Sequence, residues 1–215
     1  MQEATSREKV LKRVRKALIN KGKSSTLNVD FESNVYPQIN EIPEIVFAQK
    51  FTENLGKFVF CENEQEAIET LHYLIQENNW PPIFSNDPVV MELFSKGKIK
   101  HLSDENSLSS AKIGMTTCES LVARTGSVFV SSAQPSAIIL SAMADVHIVL
   151  AYTSQIVIEI KDALKNFKNK YGNALPSSLT MISGPSRTAV IENTIVIGAH
   201  GPKEVFLFLL DDIQQ

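Results

Sequence analysis

The sequence predicts an α/β domain with a mostly parallel sheet, helix layers on both of its faces, and a helical extension at the N-terminus. Three observations predict it. Strand-length runs of Val, Ile, Leu and Phe, such as VHIVLA (146–151) and VFLFLL (205–210), lack polar alternation, as a sheet covered on both faces requires. In the first half of the chain these runs alternate with segments of helical period, the pattern of βαβ units. Cap and turn residues, among them Gly56, Asn63 and Asp87-Pro88, fall between the runs.

Each element has its own local reason. Val10, Val14 and Leu18 recur at four-residue spacing with Leu11 beside them and Lys or Arg on the other face, an amphipathic helix capped by Thr5 or Ser6 and stopped near Gly22. Residues 23 to about 41 are polar and aperiodic and read as a linker or surface arm. The chain therefore divides into residues 1–40, helix and arm, and residues 41–215, the α/β domain. Pro43 suits the first position of a helix running to about Leu55 and ended by Gly56. KFVFC (57–61) reads as a buried strand, and Asn63 caps a helix carrying Ala67, Leu71, Leu74 and Ile75. Trp80, Pro81 and Pro82 turn the chain into a short strand, PIFS (82–85), after which Asp87-Pro88 opens a helix through Val90 and Phe94.

A polar segment from His101 to Ser110 precedes a denser run of strands: KIGMT (112–116), SVFVSS (127–132), VHIVLA (146–151), LTMIS (179–183), TIVIGA (194–199) and VFLFLL (205–210). A helix with Ile156, Ile160 and Leu164 at four-residue spacing lies between the third and the fourth. The close spacing of the last strands allows an antiparallel edge.

Composition narrows the function classes. At 215 residues, roughly 70–75% of the unfolded surface can be buried, so no disulfide or metal staple is required. Twenty-one Lys and Arg against 24 Asp and Glu leave a net charge of −3, which gives no whole-surface attraction to nucleic acid or an anionic membrane. Any bound anion must be met by a local site. The two cysteines, Cys61 and Cys118, are far apart, and the histidines show no paired ligand spacing, so no intrinsic metal or cluster is expected. This cysteine usage suits a reducing compartment. The N-terminus lacks the apolar core of a signal peptide and no run approaches a membrane span, so cytoplasm is the expected compartment.

Three motifs sit where strands end, the position at which open α/β sheets place ligands. In GMTTCESLVARTGS (114–127), Gly114 follows a strand, Thr116 and Thr117 precede an expected helical turn, and Thr125-Gly126-Ser127 opens the next strand. Amides at a helix start, with hydroxyls beside them, suit an anion. A tight turn with an N-cap and no ligand explains the same residues. In GPSRT (184–188), Gly184 lets the backbone approach closely, Pro185 fixes φ, Ser186 and Thr188 offer hydroxyls, and Arg187 adds a fork of donors suited to carboxylate or phosphate. A capped helix start with a solvated Arg187 is the plainer alternative. In HGP (200–202), His200 can donate to an anion or shuttle a proton, or merely satisfy turn carbonyls. No nucleophile elbow, P-loop or G-x-G-x-x-G is present, Ser186 has no evident base and Cys118 no nearby His, so no catalytic residue is assigned. The ligand-binding candidates are Gly114, Thr116, Thr117, Glu119, Arg124, Thr125, Gly126, Gly184, Pro185, Ser186, Arg187, Thr188, His200 and Gly201, expected to converge on one electropositive cup at the sheet rim.

Gly-Met-Thr (114–116), Ala-Arg-Thr-Gly-Ser-Val (123–128), Asp-Val-His-Ile-Val (145–149), Ser-Gly-Pro-Ser-Arg-Thr-Ala-Val-Ile-Glu (183–192) and Gly-Ala-His-Gly-Pro (198–202) occur in that order. The combination resembles the LUD-domain family, of the lactate utilization protein C type, densely from about Lys112 to Leu210 and more weakly from Pro43. The resemblance implies a Rossmann-like fold similar to the NagB/RpiA/CoA-transferase group. It also implies an accessory role in L-lactate oxidation to pyruvate beside two partners, one of which carries iron–sulfur clusters. Together with the motifs and the cysteine count, it makes the leading expectation a subunit that binds an anionic or phosphate-bearing small molecule and has no intrinsic cofactor, with an oligomer left open. Two departures stand out: Arg124 and Val190 occupy positions where the family commonly has acids. Glu119 for a usual Asp and Thr117 for a usual Gly are milder. The alternatives are a stand-alone enzyme acting on a sugar phosphate, CoA thioester or folate, and a non-catalytic regulator that binds a metabolite.

Overall fold

A computed structural model describes residues 6–19, 36–190, 194–198 and 200–212. The expected stop near Gly22 and most of the expected arm lie outside them. The chain forms two units, divided between Gln38 and Ile39. In the first, α1 (Ser6–Ile19) carries Val10, Leu11 and Val14 as exposed residues.

The second unit begins with α2 (Pro43–Glu53), β1 (Lys57–Cys61), α3 (Glu64–Glu77), β2 (Ile83–Phe84), α4 (Pro88–Gly97), β3 (His101–Leu102) and α5 (Glu105–Leu108). It continues with β4 (Ile113–Thr117), β5 (Ser120–Val122), β6 (Ser127–Ser131), α6 (Ala137–Met143), β7 (Val146–Tyr152), β8 (Ile156–Val157) and α7 (Ile160–Tyr171). It ends with β9 (Leu179–Ile182), β10 (Arg187–Val190), β11 (Thr194–Ile197) and β12 (Glu204–Leu210). Local chemistry sets several of these starts. Asn63 accepts from Glu66 N at 3.0 Å at the head of α3, and Asp87 accepts from Val89 N at 3.0 Å at the head of α4.

The central sheet has six strands in the order β1-β12-β7-β4-β2-β3, all parallel. Alternate residues of its inner strands divide between two cores. Ile148, Leu150, Phe206 and Phe208 face α3 and α4, with Leu71, Leu93 and Phe94. Val149, Ala151, Leu207 and Leu209 face the other way, against Val46, Phe47 and Phe51 of α2 and Val128 and Val130 of β6. That second face is covered by helices and by a four-stranded sheet, β8-β5-β6-β9.

Several expectations are corrected. Residues 120–122 form β5, not a helical turn, because Ser120-Leu121-Val122 is fully buried and pairs antiparallel with β6. GPSRT enters a strand of the β10–β11 hairpin and not a helix. Ile156 lies in β8, and the helix starts only at Ile160 behind Glu159. LTMIS and TIVIGA fall outside the central sheet, whereas VFLFLL sits inside it, parallel, between β1 and β7. KFVFC is not fully buried: β1 pairs with β12 alone among the described residues, and Phe60 is 48% exposed. The polar stretch after His101 contains β3 and α5, and AIILSAM (137–143) forms a helix that periodicity did not mark.

Candidate functional site

Strand order locates a crevice. From the C-terminal end of β2 the chain runs outward to β3, whereas from β4 it runs the opposite way, to β7 and β12. Connections that diverge from neighbouring strands leave an opening between them, the usual ligand position in open α/β sheets. Ser85, Asn86 and Asp87 leave β2 there, and Thr117, Cys118 and Glu119 leave β4.

A continuous hydrogen-bond chain crosses this opening. The Thr117 hydroxyl donates to Asp87 Oδ2 at 2.6 Å, and Gln134 Nε2 donates to Thr117 Oγ1 at 3.1 Å. Ser131 N donates to Gln134 Oε1 at 2.9 Å, and its hydroxyl to Glu119 Oε1 at 2.6 Å. Tyr171 OH and Lys170 Nζ, both at 2.7 Å, complete the shell around Glu119, whose side chain is only 3% exposed. Burial raises the Glu119 carboxyl, but the bonds from Lys170, Ser131 and Tyr171 together outweigh it and hold the group below the usual carboxylate range. Burial and the bond to Glu119 push the Tyr171 phenol up. Asn86 Oδ1, in the turn between β2 and α4, is buried with no hydrogen-bond partner among the described residues. The network ties the loops that follow β2 and β4 to each other and to the end of α7.

The predicted candidates divide between two ends of the sheet. Thr117 and Glu119 lie at the C-terminal end. Gly114 and Thr116 lie inside β4: Gly114 packs on Leu140, and Thr116 Oγ1 pairs with His147 Nε2 at 2.9 Å, both side chains fully buried. Burial lowers His147 to about 4. The other motifs gather at the N-terminal end. Asn54, past the end of α2, donates to Thr125 O at 2.8 Å, and a Cβ on Gly184 would meet Asn54 O at 2.0 Å. Ser127 and Ser183 hydroxyls pair at 2.7 Å, Arg187 donates to Asn54 O at 3.3 Å and Ser183 O at 3.2 Å, and the Ser186 hydroxyl donates to His200 O. A Cβ on Gly201 would lie 3.2 Å from Ser186 Cβ. Pro185 is buried among these turns, and Thr188 follows in β10.

The single cup is therefore corrected. Gly201 precedes Glu204, which aligns through Val146 with Ile113 at the start of β4, while Thr117 ends that strand. Four residues of strand, about 13 Å, separate the two groups. Arg124 does not add a free positive charge, because Glu159 Oε1 accepts from its Nε at 2.8 Å and its terminal nitrogen at 2.6 Å.

The LUD-domain profile matches residues 45–210, most of the chain. The chain belongs to the LUD-domain family. This LUD domain is 28% identical over 196 residues to lactate utilization protein C 1 of Bacillus mycoides, covering 83% of this chain and 84% of that one. It is 26% identical over 173 residues to an uncharacterised protein of Neisseria meningitidis serogroup B, covering 68% of this chain and 74% of the relative. Its fold resembles the solved structure of a DUF162 family protein from Deinococcus radiodurans, with a TM-score of 0.60 at 15% identity over 78% of this chain and 96% of that one.

Sequence reasoning missed Asp87, Gln134, Lys170 and Tyr171 as members of the network at this LUD domain's crevice. Asp87 carried a signal, since Asp-Pro marks a helix cap, but a cap uses one carboxylate oxygen and leaves the second for Thr117. Lys170 and Tyr171 carried none, being 51 and 52 residues from Glu119. Cys118 is buried and its thiol is pushed well above the ordinary range by burial first and Glu119 second, which disfavours a nucleophilic thiolate. Among the described residues no three His, Cys, Asp or Glu side chains cluster as metal ligands, and no helix is long and apolar enough to cross a membrane.

Proposed function

We propose that this LUD domain is an accessory subunit of lactate utilisation, contributing to L-lactate oxidation to pyruvate beside an iron–sulfur partner and carrying no cofactor of its own. The observation that carries the reading is the similarity along 84% of a relative named lactate utilization protein C 1. Its ligand is an anionic or phosphate-bearing small molecule. Arg187 supports that reading: it is exposed, and among the described residues only one of its terminal nitrogens is engaged, by two carbonyls, beside Ser186 and the Gly184 turn. Guanidinium forks with hydroxyl neighbours suit carboxylate and phosphate.

Co-expression with an iron–sulfur candidate from the same operon tests the assembly. Co-purification, and lactate oxidation only by the reconstituted set, is the expected result; lactate oxidation undiminished without this chain refutes it. Thermal shift with phosphate, CoA, lactate and nucleotides tests the ligand, since saturation at about 100 times Kd adds about 2.7 kcal/mol. The shift should vanish in Arg187→Ala.

A second reading draws on the position of Asp87 and Thr117 at the divergence point: a stand-alone enzyme acting on a sugar phosphate, CoA thioester or folate. Turnover of such a substrate by the pure chain would favour it.

A further inference from the structure

A cavity of about 250 Å³ opens at the end of the sheet opposite Asp87. It is walled by residues that immediately precede two strands, Trp80, Pro81 and Pro82 before β2 and Lys98, Ile99 and Lys100 before β3, with the last turns of α3 closing the side. Its chemistry is one-sided. Trp80, the two prolines and Ile99 offer apolar surface, and no carboxylate lines the space. Trp80 is held from behind, its ring edge-on to Phe206 at 5.4 Å and its backbone N–H bonded to Ile75 O at 3.0 Å. His72 is fixed by a 2.8 Å bond from Nε2 to Gly97 O.

The lysines set the charge. Lys50, Lys57, Lys96, Lys170 and Lys203 each lie within 3.0 Å of a carboxylate. Lys98 and Lys100, both exposed at the cavity, have no such partner among the described residues. Two uncompensated ammonium groups beside an aromatic and proline wall complement a negative group on a flat apolar body. The volume is below the roughly 300–1,000 Å³ of sites for drug-sized ligands, which leaves room for one or two rings.

We infer that this cavity is a second binding site, for a small aromatic or heteroaromatic carboxylate. The ring lies against Trp80 and the prolines, and the carboxylate meets Lys98 and Lys100. The site is separate from both the divergence-point crevice and the Arg187 turn, so it stands whether or not the lactate reading holds. Because β2 is only the two residues Ile83 and Phe84, an occupant beside Pro82 adjoins the strand that leads directly to Asp87.

Trp80 is the single tryptophan of the chain, so its fluorescence reports this cavity alone. The full chain is titrated with benzoate, with neutral benzamide and inorganic phosphate as comparators, and calorimetry is run in parallel. Benzoate should give a saturable change that the comparators do not give at equal concentration. Lys98→Ala/Lys100→Ala should weaken benzoate about tenfold or more while melting temperature and circular dichroism stay unchanged. Flat titrations by both methods overturn the site. An equal response to benzamide, or unaltered benzoate affinity in the double variant, overturns the recognition of an anion.

Discussion

Thr117 donates its hydroxyl to the second oxygen of Asp87 at 2.6 Å, joining the end of β4 to the cap of α4 across the crevice where the strand connections diverge. The first oxygen of Asp87 holds Val89 N at 3.0 Å, so one carboxylate, 3% exposed, both caps a helix and fastens it to the sheet. Thr117→Val should cost about 1.5–3 kcal/mol, because it leaves a buried side-chain oxygen of Asp87 short of a donor. Asp87→Ala should cost more, since about 0.5–2 kcal/mol of capping is lost as well. Urea midpoints measure both. A Thr117→Val protein as stable as the parent would show that this bond does not hold α4 in place.

What was legible in the chain was local chemistry. Pro43, Asn63 and Asp87-Pro88 mark helix starts through groups within three residues of one another, and all three helices begin there. Sheet membership was not legible, because Val128 and Ile182 read as apolar strand residues whichever sheet receives them. VFLFLL reads as a buried strand in either hand, and only pairing with β1 and β7 makes it parallel and central. The site followed the same division. Thr117 and Glu119 were visible at a strand end, but their partners lie up to 52 residues away. Arg124 looked like a free cation because Glu159 is 35 residues distant.

That pairing makes a charge-reversal test available. The side chains of Arg124 and Glu159 are 19% and 23% exposed, so solvent screens them only in part. Arg124→Glu would set two carboxylates against each other. A loss of about 1–2 kcal/mol is expected. Arg124→Glu/Glu159→Arg should recover at least half of it by denaturant melts. A double variant no more stable than Arg124→Glu would show that the contact is incidental.

His147 gives the domain a defined acid sensitivity. Buried between β4 and β12, with Nδ1 unpartnered, it stays neutral in the folded state down to about pH 4, whereas the unfolded residue takes up a proton near its ordinary 6.5. Between those values the unfolded chain binds more protons, so stability present above pH 6.5 is lost as pH falls toward 4. The difference amounts to about 3 kcal/mol. His147→Gln keeps an amide to pair with Thr116 and cannot titrate, so its urea midpoint should stay nearly level across that window apart from carboxylate effects. Parallel declines in both proteins would place the sensitivity elsewhere.

Gly126 and Gly172 separate conformational strain from close packing. Both have positive φ, +58° and +55°, which side-chain-bearing residues rarely adopt. A Cβ on Gly172 meets nothing within 4 Å, whereas one on Gly126 would lie 2.3 Å from both Lys50 C and Phe51 N, backbone atoms of α2 that cannot swing aside. Gly172→Ala should therefore cost only the backbone term, about 1–3 kcal/mol. Gly126→Ala adds displacement of α2, whose Phe47 and Phe51 are fully buried in the core on that face of the sheet, and should lower the melting temperature well beyond Gly172→Ala. Because Asn54 ties the end of this helix to Thr125 and Arg187, the variant should also weaken any phosphate-dependent thermal shift. Equal melting temperatures for the two variants would mean that α2 yields freely and does not position the Arg187 turn.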